Sequence, residues 1–193
     1  MLSRPTMKPP PERLITARLV LRRPTPTDAP AVYEYGRDPA VTRHLIFPTH
    51  TSLADAEAFL DTCPARWESG EEYCWVITLP AQNLTIGSIA CRVRGHAADI
   101  GYALASAHWR RGYAAEAGQA VVAWASDLPE VYRVWAVCDV ENTASARVLE
   151  KLGMSREGVL RRWSVHPNIS AEPRDCYVYA KVRGEAAGRP PSA

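Results

Sequence analysis

Tyr102-Ala103-Leu104-Ala105-Ser106-Ala107-His108-Trp109-Arg110-Arg111-Gly112-Tyr113-Ala114-Ala115-Glu116-Ala117 is the stretch whose reading decides the fold. A short apolar run ends at Leu104, a loop follows, and Gly112 introduces an alanine-rich segment that reads as a helix to about Ser126. Tyr113, Ala117, Val121 and Trp124 share one stripe of that helix. Its first turn carries unpaired N–H groups and the positive end of the helix dipole. Arg110 and Arg111 add charge, Gly112 can take a positive φ, and Ala114 and Ala115 keep the helix mouth open. Two readings fit this stretch alone: a backbone cradle for a pyrophosphate, or small residues that let a helix pack tightly on a sheet. A P-loop is excluded because Gly-x-x-x-x-Gly-Lys-Ser/Thr is absent, and a dinucleotide fingerprint because Gly118 is misplaced for it.

Working outward, Tyr73 to Leu79, Leu84 to Arg94 and Ala98 to Leu104 are short apolar runs separated by turn residues, as in an antiparallel meander. Further upstream, Arg18 to Arg23 alternates as a first strand. Thr27-Asp28 and Asp38-Pro39 start short helical pieces. Ser52-Leu53-Ala54-Asp55 is a capping-box variant opening a helix that Pro64 is expected to kink or end. Downstream, Tyr132 to Cys138 is a strand, and Asn142 to Leu152 is a helix closed by Gly153. Met154 to Val165 and Asp175 to Val182 complete the sheet. The expectation is one mixed α/β domain over residues 13–183, with a mostly antiparallel twisted sheet of about seven strands flanked by helices. Flexible tails are expected at 1–12 and 184–193, where proline and small polar residues bury too little to offset their ordering entropy.

The 193 residues, 47% hydrophobic, suffice for one well-buried domain. A net charge of +2 argues against nucleic acid as a partner. No run is long enough to span a membrane, and no secretory signal is recognisable. The five cysteines are scattered without a Cys-x-x-Cys pair, which favours buried free thiols over zinc or disulfides, and a reducing cytoplasmic setting.

The run from Ala98-Asp99-Ile100-Gly101-Tyr102 through Trp109 to Ala117 resembles the core of the GCN5-related N-acetyltransferase (GNAT) superfamily. It is most similar to the branch that includes the ribosomal-protein alanine N-acetyltransferases. Thr16-Ala17-Arg18-Leu19-Val20-Leu21-Arg22, Asp38-Pro39-Ala40-Val41, Asn142-Thr143-Ala144-Ser145 and Lys151-Leu152-Gly153-Met154 with Glu157-Gly158 match in the same order. The pattern departs from the branch at Arg110, where another glycine is usual. Trp109 departs from the broad superfamily motif but is a common aromatic in the branch.

That resemblance implies direct acetyl transfer from acetyl-CoA, as co-substrate, to a primary amine of a protein N-terminus or a small molecule, with no metal. A catalytically silent acyl-CoA-binding regulatory module is the alternative. Coenzyme contacts are expected from Leu104, Arg110, Arg111, Gly112, Tyr113, Ala114, Ala115, Asn142 and Ser145. Ser145 is the expected proton source for the departing thiolate, and Asp99 the candidate base. Glu116, His96 and His166 are further base candidates through ordered water, because Ser164 occupies the place where part of the branch carries a carboxylate. The pantetheine arm is expected between strands ending near Leu104 and Cys138, with a backbone N–H near Leu104 polarising the thioester. The acceptor pocket is expected near Tyr33, Tyr35, Arg43 and His44 and a Trp163-to-Arg174 loop. A monomer or a homodimer is expected.

Overall fold

The computed structural model describes residues 10–184. Eight strands form one sheet in the order β1-β2-β3-β4-β5-β6-β8-β7. They are β1 (Arg13–Ile15), β2 (Val20–Arg22), β3 (Tyr73–Leu79), β4 (Leu84–Arg94), β5 (Ala97–Leu104), β6 (Arg133–Asp139), β7 (Ser155–His166) and β8 (Ser170–Val182). Every neighbouring pair is antiparallel except β5 and β6, which are parallel. The expected count of about seven strands is corrected to eight by β1, a three-residue strand too short to show periodicity. Most of the expected tails lies outside the described residues. At the inner end of the first, Trp75 Nε1 donates to the Pro11 carbonyl at 3.0 Å and Arg23 N to the Glu12 carbonyl at 3.1 Å. Those two bonds tie residues 11 and 12 to the sheet.

Helices α1 (Ala29–Gly36), α2 (Pro39–Thr42) and α3 (Leu53–Ser69) precede the meander, and α4 (Tyr113–Asp127) and α5 (Thr143–Lys151) flank β6 in the chain. Ser52 and Asp55 cap α3 reciprocally, as the sequence predicts. The helix does not stop at Pro64 but continues to Ser69. Pro64 lies on the exposed face, while Leu60, whose carbonyl loses its usual helical donor, is buried. Cys63 and Trp67 on the other face are buried and hold the helix to the sheet.

Two apolar clusters occupy the two faces of the sheet. Ile100, Leu104, Ala136 and Cys138 join Ala117, Val121 and Val122 of α4 and Leu149 of α5 in the larger one. Ala103 joins Val32, Val41, Ala56 and Leu60 of α1, α2 and α3 in the smaller one. Alternation along β5 thus puts Leu104 and Ala103 on opposite faces. Gly118 has a packing role: a Cβ there would lie 2.9 Å from both Leu152 methyl carbons, so glycine lets the end of α5 close on α4.

Candidate active site

The site forms where the parallel pair of the sheet opens. β5 and β6 pair only at Ala97↔Arg133, Ala98↔Val134 and Asp99↔Trp135. Beyond that point β5 runs on to Leu104 and β6 to Asp139 without pairing, which leaves a gap bordered by two strand edges. Ala105 N donates to the Ile86 carbonyl at 2.8 Å. In an antiparallel ladder hydrogen-bonded and non-hydrogen-bonded pairs alternate, so the Leu104↔Gly87 pair turns the Leu104 N–H away from β4 and into the gap. The Leu104 carbonyl accepts from Trp109 Nε1 at 2.7 Å. An aromatic N–H at position 109 therefore locks the peptide unit at the mouth of the gap.

The loop below the gap leads into α4. Within the described chain, no hydrogen bond occupies the backbone N–H groups of residues 110–115, and the first helical bond is Glu116 N to the Gly112 carbonyl at 3.0 Å. Gly112 has φ +81°, the left-handed conformation expected of it. Arg110 is also left-handed, with φ +60°. A side chain in that conformation costs of order 1 kcal/mol. The segment Thr16–Arg18 braces the loop, a contact the sequence alone did not reveal. Thr16 Oγ1 and Arg18 N donate to Glu116 Oε1 at 2.6 and 2.8 Å, and Arg18 Nε donates to Oε2 at 2.7 Å. Arg18 also donates to the Arg111 carbonyl at 3.0 Å and lies over the Tyr113 ring. These bonds hold the Glu116 carboxyl below its ordinary range against the opposing effect of burial. They occupy Glu116 as a brace, not as a free base.

Above the loop, α5 delivers its polar residues to the gap. Asn142 is the N-cap, its side-chain oxygen accepting from Ser145 N at 3.1 Å. The Ser145 hydroxyl is not spent on capping and lies 2.8 Å from the Tyr102 hydroxyl. Burial pushes the Tyr102 phenol well above its usual value, so it stays a proton carrier at neutral pH. Tyr102 is not among the residues expected from the sequence; its place on the same face of β5 as Leu104 is the signal that could have pointed to it.

Asp99 sits apart from this group. Its carboxylate accepts from Arg92 Nε at 2.7 Å, and Arg92 also reaches Glu72 at 2.8 Å. Asp99 belongs to the last closed pair of the β5–β6 ladder, about 16 Å along the strand from Leu104 at roughly 3.3 Å per residue.

On the opposite face, the end of β6 carries a charged cluster. Asp139 is fully buried and accepts from Arg174 Nε at 2.6 Å and from Glu141 N at 2.9 Å. His44 Nδ1 lies 3.7 Å from Asp139 Oδ1, and His166 Nε2 lies 3.8 Å from Oδ2. The expected Trp163-to-Arg174 loop is instead the end of a β7–β8 hairpin with its turn at 167–169. Asn168 in that turn fastens the segment carrying His44. It accepts from Thr49 N and Oγ1 at 2.9 and 3.1 Å, and donates to the Thr42 and Phe47 carbonyls at 2.8 and 2.9 Å. Asn168→Ala is expected to cost about 2 kcal/mol, which lowers Tm by roughly 4–8 °C for a domain of this size. A thermal melt checks it, and an unchanged Tm would show that the segment is held elsewhere.

Residues 18–155 match the family described as the acetyltransferase (GNAT) domain. An uncharacterised N-acetyltransferase of Bacillus subtilis (strain 168), YoaA, is 32% identical over 88% of this chain and 96% of its own. The crystal structure of a GNAT-family acetyltransferase from Bacillus anthracis superposes with a TM-score of 0.78 at 28% identity, covering 90% of this chain and 99% of that one. RimL, a ribosomal L7/L12 alpha-N-protein acetyltransferase in complex with coenzyme A, shares the fold with a TM-score of 0.76 at 20% identity, covering 88% and 96% of the two chains. With a family match across most of the sheet and relatives aligned nearly end to end, the chain belongs to the GNAT acetyltransferase family.

Proposed function

We propose that this protein transfers the acetyl group of acetyl-CoA directly to a primary amine, with no acyl-enzyme. The observation that carries the reading is the gap between β5 and β6, bordered by an inward-facing Leu104 N–H and flanked by the unoccupied N–H groups of residues 110–115. The donors fit the two ends of the substrate. The pyrophosphate is assigned to the N–H groups of Gly112, Tyr113, Ala114 and Ala115, with Arg110 and Arg111 supplying positive charge. The pantetheine amides fit a gap in a sheet, where they replace the missing strand pairing.

In this mechanism the amine attacks the thioester carbon, and the oxygen that gains charge accepts from Leu104 N–H. Collapse breaks the C–S bond. Ser145, hydrogen-bonded to Tyr102, donates to the departing sulfur, and Asn142 positions Ser145 by capping α5. Asp99 is the base candidate drawn from the sequence. Its engagement by Arg92 and its distance from Leu104 leave it in reach of the amine only through a chain of water.

For the acceptor, a protein or peptide N-terminus is the preferred class. It is supported by the likeness of the fold to an enzyme described as an alpha-N-protein acetyltransferase. We place the reaction in the cytoplasm, where acetyl-CoA and unmodified amines coexist. The catalytically silent module is supported only by the serine at position 164. The test is release of free coenzyme A thiol from acetyl-CoA across peptides differing in their N-terminal residue, amino acids, polyamines and aminoglycosides. Turnover with one class supports the proposal and assigns the acceptor. Binding of acetyl-CoA without turnover on any amine overturns it in favour of the silent module.

A further inference from the structure

The group that deprotonates the amine need not be a carboxylate on β5, because a histidine lies beside the end of β6. Parallel strands advance in step, so four residues beyond Asp99↔Trp135 bring Ala103 opposite Asp139. Asp139 is thus level with the peptide of Leu104 that borders the thioester site. Its side chain points away from the Ser145 face, because Cys138, the preceding residue, is packed in the α4–α5 cluster. Ala103 points the same way, into the cluster with Val41 of α2. His44 lies two residues beyond the end of α2, and its side chain, 17% exposed, brings Nδ1, which makes no hydrogen bond, to 3.7 Å from Asp139 Oδ1.

We infer that His44, beside the Asp139 carboxylate, is the general base that takes the proton from the acceptor amine, acting from the sheet face opposite Ser145. The inference rests on the proposed acetyl transfer. The Asp139 carboxylate favours a proton on Nδ1, which leaves the Nε2 lone pair free to accept. His166 meets the same carboxylate but is 3% exposed and in contact with Cys176, so it is closed to a substrate. The proton balance is complete. The amine nitrogen bonds to the acetyl carbon and gives its proton to Nε2, the C–S bond breaks with the Ser145–Tyr102 pair hydrogen-bonded to the departing thiolate, and His44 releases its proton to solvent, from which the thiolate is protonated.

The charged surroundings set the direction of titration. Burial lowers the His44 pKa from its ordinary value, Asp139 raises it, Arg43 and His166 lower it, and Glu141 raises it, with the net shift downward. Arg174, bonded to both Asp139 and Glu141, moderates those two carboxylates. His44 is therefore the neutral, proton-accepting form at physiological pH. The rate is expected to fall on the acid side, below the ordinary histidine range.

The test is the pH profile of kcat/KM for acetyl transfer to the best amine of the panel described above, in wild type and His44→Asn. Asparagine keeps a donor toward Asp139 but cannot accept the proton. The expected result is a loss of about 100-fold at neutral pH and disappearance of the acid limb, with acetyl-CoA affinity and Tm unchanged. Should His44→Asn lower Tm, Asp139→Asn reads the same pair: losing the carboxylate is expected to move the acid limb to lower pH. A His44→Asn enzyme with the wild-type rate and profile, or loss of the limb in Asp99→Asn instead, overturns the assignment. A wild-type protein that binds acetyl-CoA and acetylates no amine overturns the proposed transfer itself, and the base with it.

Discussion

Gly112→Glu is expected to raise the Kd for acetyl-CoA at least about 100-fold, a loss of roughly 3 kcal/mol at 1.4 kcal/mol per decade. Three effects combine. The native φ of +81° is strained for any side chain, at roughly 1–2 kcal/mol. A carboxylate at the mouth of α4 opposes the phosphate charge where the dipole and the arginines would otherwise favour it. The added bulk also blocks the close approach of the pyrophosphate to the N–H groups of residues 113–115. Gly112→Ala separates these contributions. Its Cβ would meet only the flexible end of Arg18, at 3.4 Å, so it keeps the strain and loses the charge and most of the bulk. Isothermal titration of acetyl-CoA into both variants is the measurement. A glutamate variant that binds like wild type would place the phosphates elsewhere.

Ser145→Ala is expected to lower kcat about 100-fold, the scale for removing one positioned donor, while acetyl-CoA affinity changes less than about twofold. The Ser145 hydroxyl is partnered by Tyr102 and not by its own helix, so its removal leaves the cap of α5 intact. A serine is a poor acid and the Tyr102 phenol is pushed up by burial. The pair therefore stabilises the departing thiolate by hydrogen bonding more than by full proton donation. Tyr102→Phe should accordingly show the same split with a smaller loss. Steady-state kinetics beside a binding titration read the difference. Equal loss of kcat and affinity in Ser145→Ala would make Ser145 a binding residue.

Most of the architecture was legible because local signals agreed with one another. The periodicity of 113–126, the capping box at Ser52, the cap at Asn142 and the terminal Gly153 each act within a few residues, and each element appears where they place it. Pro64 does not end α3, because Cys63 and Trp67 beside it pack against the sheet and carry the helix on to Ser69. At the candidate site the phosphate loop was readable as a contiguous motif. The bracing of that loop by Thr16 and Arg18, the pairing of Tyr102 with Ser145, and the meeting of His44 with Asp139 were not. They join residues between 43 and 100 positions apart, and only the sheet order brings them together. The gap itself is a missing pairing between two strands, and no residue type announces it.

The central claim is that a coenzyme occupies the gap between β5 and β6 with its phosphates on residues 110–115. Its most direct measurement is amide hydrogen exchange with and without saturating acetyl-CoA. The N–H groups of Leu104 and of residues 110–115, which have no internal partner among the described residues, should gain protection when acetyl-CoA binds, with the β1–β2 edge unchanged. Uniform exchange at these sites in the presence of acetyl-CoA, or protection confined to another surface, would contradict the account.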